Sequence, residues 1–255
     1  MHHDRATRAR SFGEIAEEYD RFRPGPPLEA ARWVLGEGRA RVLDLGAGTG
    51  GLTASLVALA HHVLAVEPDA RMRAVLARRD LEAATVGAVG ERLPFIGGAL
   101  DGVVASSSWH WMDSAMAAAE VARVLRPGGV FGLLWSGPDR QIPWVAELLG
   151  HPWPADADDS AEHRRRRAMV LPPGLPFSAP EGGVVRFSRS FRPDELAGLS
   201  GTYSVVITGG AQERAGRMER VEHRVRSLFG DGPVEVPMLC RCWRTVRTVG
   251  ATQLG

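Results

Sequence analysis

Residues 41–51 read Arg41-Val42-Leu43-Asp44-Leu45-Gly46-Ala47-Gly48-Thr49-Gly50-Gly51. An apolar run carrying one acid breaks into glycines, and a helical pattern begins at Leu52. Strand, glycine turn, helix is the layout of a nucleotide-binding loop. Glycine turns the backbone tightly, and without a side chain it lets a ligand lie against the main chain. The helix that follows offers unpaired N–H groups to negative charge.

Two ligand classes compete for this loop. The spacing Gly46-x-Gly48-x-x-Gly51, with Glu67 about 20 residues on, fits the dinucleotide fingerprint, so an NAD-dependent dehydrogenase is one reading. Asp44 argues against it, because a carboxylate two residues before the first glycine would repel a pyrophosphate. It suits a ligand carrying an ammonium group. The string Val-Leu-Asp-Leu-Gly-Ala-Gly-Thr-Gly resembles motif I of the class I S-adenosylmethionine (SAM) dependent methyltransferases. That resemblance implies SAM as cofactor and S-adenosylhomocysteine (SAH) as product. Asp44, Gly46 and Gly48 would meet the methionine end. Glu67, at the tip of the next strand, would accept hydrogen bonds from the ribose hydroxyls.

The strand and helix pattern extends outward from the loop. Strands are expected at 62–66, about 84–88, 101–105 and 130–135, with helices at 50–60, 70–79 and 114–125. This alternation argues a parallel, doubly wound sheet. The resemblance extends the expectation to a Rossmann-like α/β fold of seven strands, the last one antiparallel. It covers most of the chain and implies one methyltransferase domain over 1–255. Gly90 and Glu91 lie in the family segment after strand three. Many relatives carry an Asp or a hydroxyl residue at about the position of Val89, so here the adenine contact would fall to Gly90 and Glu91. Ser106 opens a polar turn at the end of the fourth strand, and Trp109-His110-Trp111 follows it. Ligands in such sheets bind at the carboxyl ends of strands. Trp109 and Trp111 are therefore expected to face the acceptor. His110 is the candidate base, because imidazole titrates near neutral pH.

Upstream, Phe12, Ile15, Ala16 and Tyr19 fall on one helical face within 5–23. The run Ala16-Glu17-Glu18-Tyr19-Asp20 … Arg23-Pro24 resembles the leader of many small-molecule methyltransferases, which folds over the cofactor. Tyr19 and Arg23 would then bind the acceptor. Downstream, prolines interrupt 136–180, which reads as a lid-like insertion. Its blocks Ala155–Asp159 and Arg164–Arg167 are of opposite charge and read as paired solvated faces. A strand at 184–191, a helix from Pro193, an amphipathic helix at 212–229 and a strand at 238–246 close the chain. Met218, Val221, Val225, Leu228 and Phe229 form the expected buried stripe of that long helix.

Composition narrows the function classes. The chain has 255 residues, 44% hydrophobic and 24% charged, with a formal charge of +1. A near-neutral chain has no global field for nucleic acid or membrane, and no base-amine motif of the Asn-Pro-Pro-Tyr type occurs. Cys240 and Cys242 make neither a disulfide framework nor a metal cluster, and no apolar run reaches membrane-spanning length. A cytoplasmic monomer or homodimer without metal is expected. Two alternatives stand beside the methyltransferase: a SAM-binding protein without methyl transfer, and the dehydrogenase. The favoured reading is O-methylation of a small molecule, on a hydroxyl or carboxylate. The His-Trp pair also occurs in relatives resembling trans-aconitate methyltransferases.

Overall fold

The computed structural model describes residues 12–59, 62–150 and 168–249. Residues 5–11 of the expected leader and both charge blocks of the insertion lie outside the described residues. Contacts group the chain into two compact units. A loop unit comprises 25–136, 164–185 and 240–255, and a helical unit comprises 1–24, 137–163 and 186–239.

The loop unit is built on a parallel ladder. Strand β1 (Arg41–Leu45) pairs with β2 (His62–Val66) on one side and with β4 (Leu100–Ser106) on the other. Strand β3 (Ala83–Val86) pairs with β2, and β5 (Leu125–Pro138) pairs with β4, all parallel. Apart from Arg41, every residue of β1 is buried, and β4 is buried as far as Ala105. Such continuous burial is what a parallel sheet covered on both faces requires. Asp101 fixes the start of β1 by accepting the Arg41 N–H at 2.8 Å and the Ala40 N–H at 3.2 Å. Helices α2 (Leu28–Leu35), α3 (Gly51–Val57), α4 (Ala70–Arg78) and α5 (Ser114–Val124) complete this part. Leu43, Leu45, Val103, Ala105, Phe131 and Leu133 form the centre of its core.

The full sheet has seven strands in the order β3-β2-β1-β4-β5-β7-β6, with β6 at Glu181–Phe191 and β7 at Val234–Val246. Strand β7 is antiparallel: the Gly128 N–H donates to the Arg247 carbonyl and the Arg247 N–H to the Gly129 carbonyl, each at 2.8 Å. It begins at Val234 rather than the expected Met238. Pro237 lacks an N–H but keeps its carbonyl, which accepts the Asp139 N–H at 2.8 Å, so the strand runs through it. Strand β5 also starts earlier than expected, because Leu125 already pairs with Leu100 before an irregularity in the register.

The helical unit holds α1 (Ala16–Phe22), α6 (Pro143–Leu149), α7 (Pro193–Gly201), α8 (Ser204–Thr208) and α9 (Ala211–Phe229). Its core joins Val145, Leu149, Leu196, Val221, Val225 and Val236. A side chain at Gly198 would stand 2.5 Å from the Phe22 ring, and one at Gly201 would stand 2.7 Å from the Met218 sulfur. Glycine thus sets how closely α7 approaches α1 and α9. The expected stripe of α9 is only half realised. Val221 and Val225 are buried, whereas Leu228 is 42% and Phe229 43% exposed. Phe229 instead meets the edge of Trp144, at 5.1 Å between ring centroids.

Candidate functional site

The strand order reverses between β1 and β4, and the glycine loop leaves β1 at this switch point. Such crevices, beyond the carboxyl ends of the strands, are where open α/β sheets bind ligands. The Gly46 and Ala47 N–H groups both donate to the Val66 carbonyl, at 2.8 and 2.9 Å. Gly46 has φ 72°, and a Cβ there would stand 2.6 Å from that of Ser108. Ser108 needs this closeness: its hydroxyl donates to the Leu45 carbonyl at 2.7 Å. Gly48 has φ 57°, and nothing lies within 4 Å of where its Cβ would be. The loop is therefore locked at Gly46 and open at Gly48.

Two acids flank the loop. Asp44 is fully buried. Its Oδ2 accepts the Thr53 hydroxyl at 2.7 Å, while Oδ1 is buried with no hydrogen-bond partner among the described residues. Burial pushes the Asp44 carboxyl up to about 7; the Thr53 hydrogen bond opposes the shift and the charge of Glu67 adds to it. An unmatched acceptor costs free energy in the interior unless a ligand supplies a donor. A ligand ammonium meets this need and would hold the carboxyl ionised. Glu67, 8% exposed, accepts the Gly48 N–H at 3.0 Å through Oε2 and the Asp69 N–H at 2.9 Å through Oε1. Burial raises its carboxyl also, against these two backbone hydrogen bonds. Each oxygen keeps a lone pair, enough for a ribose diol. Asp69 caps α4 by accepting the Arg71 and Met72 N–H groups, at 2.8 and 3.4 Å. Arg73 Nη1 donates to the Glu67 and Pro68 carbonyls, at 2.7 and 2.8 Å, holding the tip of β2.

The remaining loops of this unit are tied together. Glu91 Oε1 accepts the Asp113 N–H at 2.7 Å, and Asp113 caps α5 through the Ala115 and Met116 N–H groups. Gly90 is buried, and a Cβ there would stand 2.5 Å from the Met112 sulfur. Ser106 is half-buried at the end of β4. A 3₁₀ turn spans Trp109–Trp111. Its three rings do not share one environment. Trp109 is 5% exposed and packs on Phe131 at 5.0 Å, a core position. His110 and Trp111 are half-buried and pack on each other at 4.4 Å.

The sequence reading missed Thr53, Ser108, Arg73 and Met112. Thr53 and Arg73 sit inside helical patterns, where nothing in one sequence separates a buried hydrogen bond from a surface position. Ser108 belonged to a polar run already read as a turn. In the helical unit, Tyr19 lies in α1 and Arg23 caps its C-terminus. The Arg23 guanidinium lies over the Tyr19 ring, at 5.9 Å from its centroid.

Residues 43–133 match the methyltransferase domain family. An uncharacterized methyltransferase of Mycobacterium tuberculosis is 38% identical over 237 residues, covering 92% of this chain and 94% of its own. An uncharacterized methyltransferase-like protein of Schizosaccharomyces pombe is 28% identical, covering 77% and 78%. Among solved structures, a protein of Anaeromyxobacter dehalogenans described as a type II methyltransferase superposes with a TM-score of 0.65 at 23% identity, over 89% of this chain and 98% of that one. Phosphoethanolamine N-methyltransferase 2 of Haemonchus contortus, bound to phosphomonomethylethanolamine and SAH, gives 0.55 at 15% identity, over 98% and 60%. These two likenesses bear on the fold, and the mycobacterial relative shows the family. The chain belongs to the class I SAM-dependent methyltransferases. It is a transferase of one-carbon groups that uses SAM.

Proposed function

We propose that this enzyme methylates a small molecule on oxygen, at a hydroxyl or a carboxylate. SAM is assigned to Asp44, Gly46, Gly48, Glu67, Gly90, Glu91 and Ser106. The observation that carries the assignment is the buried, unmatched Asp44 Oδ1 beside a loop that is open at Gly48. Bound there, SAM supplies an activated methyl group on a sulfonium. In this reading Asp44 receives the ammonium and Glu67 the ribose hydroxyls. The protein's main contribution is orientation and the exclusion of water. An acceptor oxygen held in line by this chain would take the methyl group from the sulfonium, whose sulfur would leave as SAH. For a hydroxyl acceptor the proton passes to His110, which Trp111 flanks. A carboxylate acceptor needs no base, and Arg23 then serves as its fork, with Tyr19 beside it.

Segments 5–23 and 136–180 are assigned the roles of cap and lid-like insertion, closing over the bound cofactor. No helix among the described residues is long and apolar enough to cross a membrane. Cys240 and Cys242 are free and buried, which supports a reducing, cytoplasmic setting. Steady-state transfer from SAM to hydroxyl acceptors tests the base. His110→Ala is expected to lower kcat by about 10²–10⁴, with SAM affinity unchanged. Full activity of that variant on a hydroxyl acceptor removes His110 as base and moves the reading to a carboxylate, for which Arg23→Ala should raise KM.

A further inference from the structure

Three segments of the loop unit converge on one side chain, that of Met112. Gly46 follows β1, Gly90 lies beyond β3, and Met112 ends the 3₁₀ turn beyond β4. A Cβ at Gly90 would stand 2.5 Å from the Met112 sulfur and 3.3 Å from its methyl carbon, Cε. A Cβ at Gly46 would stand 3.3 Å from the same Cε. The thioether end of Met112 thus lies against both backbones, in space that a side chain at either position would claim. An unbranched, adaptable thioether suits such a gap.

Hydrogen bonds hold this placement from both sides. The Met112 N–H donates to the Trp109 carbonyl at 3.2 Å and closes the turn. The Ser108 hydroxyl ties the start of the turn to β1 through the Leu45 carbonyl. The next residue, Asp113, ties its end to the Gly90 segment, its N–H donating to Glu91 Oε1. Gly90 and Glu91 lie in a turn of their own, closed by the Arg92 N–H on the Val89 carbonyl at 3.2 Å. Met112 fills the middle of this frame. It is half-buried and packs on the core that includes Leu45 and Trp109.

The separation of Gly46 from Gly90 matters to a ligand that touches both and not to a ligand that touches one. Joining two contacts in one molecule raises affinity by roughly 10²–10⁴, and only while the spacing allows both at once. A filled gap keeps its width, whereas an emptied one lets its walls relax inward in part.

We propose that Met112 is a positioning residue for the cofactor: its side chain sets the separation of the Gly46 loop from the Gly90 segment, and with it the affinity for ligands that span the two. This rests on the assignment of SAM to Gly46 and Gly90 made above.

Calorimetry on the full chain tests it with two probes. SAH carries both an adenosine and an amino-acid end, so it engages both glycine segments. 5′-Methylthioadenosine lacks the amino-acid end and engages the Gly90 side alone. In Met112→Ala the affinity for SAH is expected to fall at least about tenfold and that for methylthioadenosine to change by less than about threefold. General loosening of the fold weakens both probes alike, so the ratio of the two affinities is the readout. Met116→Ala, which shortens a methionine of α5 that is 57% exposed, should match the unaltered protein on both probes. If Met112→Ala does not fold, Met112→Leu decides by the same ratio, since its volume is similar and its shorter, forked end does not reach between the two backbones. An unchanged ratio overturns the role, as does SAH binding by an unaltered protein that takes up no methylthioadenosine. No SAH binding by the unaltered protein sinks the cofactor assignment instead, so the two failures are told apart.

Discussion

Asp44 carries a distinct pH signature. In the ligand-free fold its carboxyl sits near 7 because burial disfavours the charge. A carboxyl raised on folding binds more protons in the folded than in the unfolded chain between about pH 4 and 7. Its contribution to stability is therefore greatest below about pH 4 and declines as pH rises through about 7. Asp44→Asn should remove this decline, raising the Tm of the ligand-free protein at pH 8 more than at pH 5, as thermal scans at the two pH values would show. Cofactor binding should run the other way. An ammonium favours the ionised carboxyl, so SAM affinity is expected to rise between pH 5.5 and 8 in the unaltered protein and to rise less in Asp44→Asn. Equal pH profiles would remove Asp44 from the ammonium site. At this scale the sequence disclosed the acids and glycines, whose types and spacing are distinctive. It did not disclose Thr53 or Ser108, whose roles depend on which strand tip lies opposite.

The elements were legible in proportion to their periodicity. Strands β1, β2 and β4 are buried apolar runs bounded by glycine or polar turns, and they lie where expected. Strand β7 starts at Val234, before the expected 238, because Pro237 lacks an N–H but keeps a carbonyl that pairs. The stripe of α9 was overextended because periodicity does not show where the packing partner ends. Gly132 in β5 makes the packing between elements testable. A Cβ there would stand 1.9 Å from Val34 Cγ1 of α2. Gly132→Ala must displace the helix or the strand, and overpacking of this kind costs about 1–3 kcal/mol. Urea denaturation should show the loss with an unchanged slope. An unaltered midpoint would mean that α2 is free to shift.

At the scale of the molecule, alternation of strand and helix identified a doubly wound sheet, and the antiparallel last strand followed from resemblance. Division into two compact units was not legible, because each unit is assembled from three separated segments. Such clustering arises from contacts distant in sequence, which leave no local pattern. The roles given to 5–23 and 136–180 belong to this scale. Amide hydrogen exchange in both is expected to slow when SAH is added, as segments that close over a ligand gain protection. Identical exchange with and without SAH would remove the cap and the insertion from the cofactor's cycle.

The central claim is that the Asp44–Glu67 loop holds SAM, and calorimetric titration of the full chain measures it most directly. SAM and SAH should each bind at one site, NAD should not bind, and Glu67→Ala should weaken SAM by about 1–3 kcal/mol, the scale of hydrogen bonds to a charged group. Absence of SAM binding by the unaltered protein, or unchanged affinity in Glu67→Ala, would contradict it.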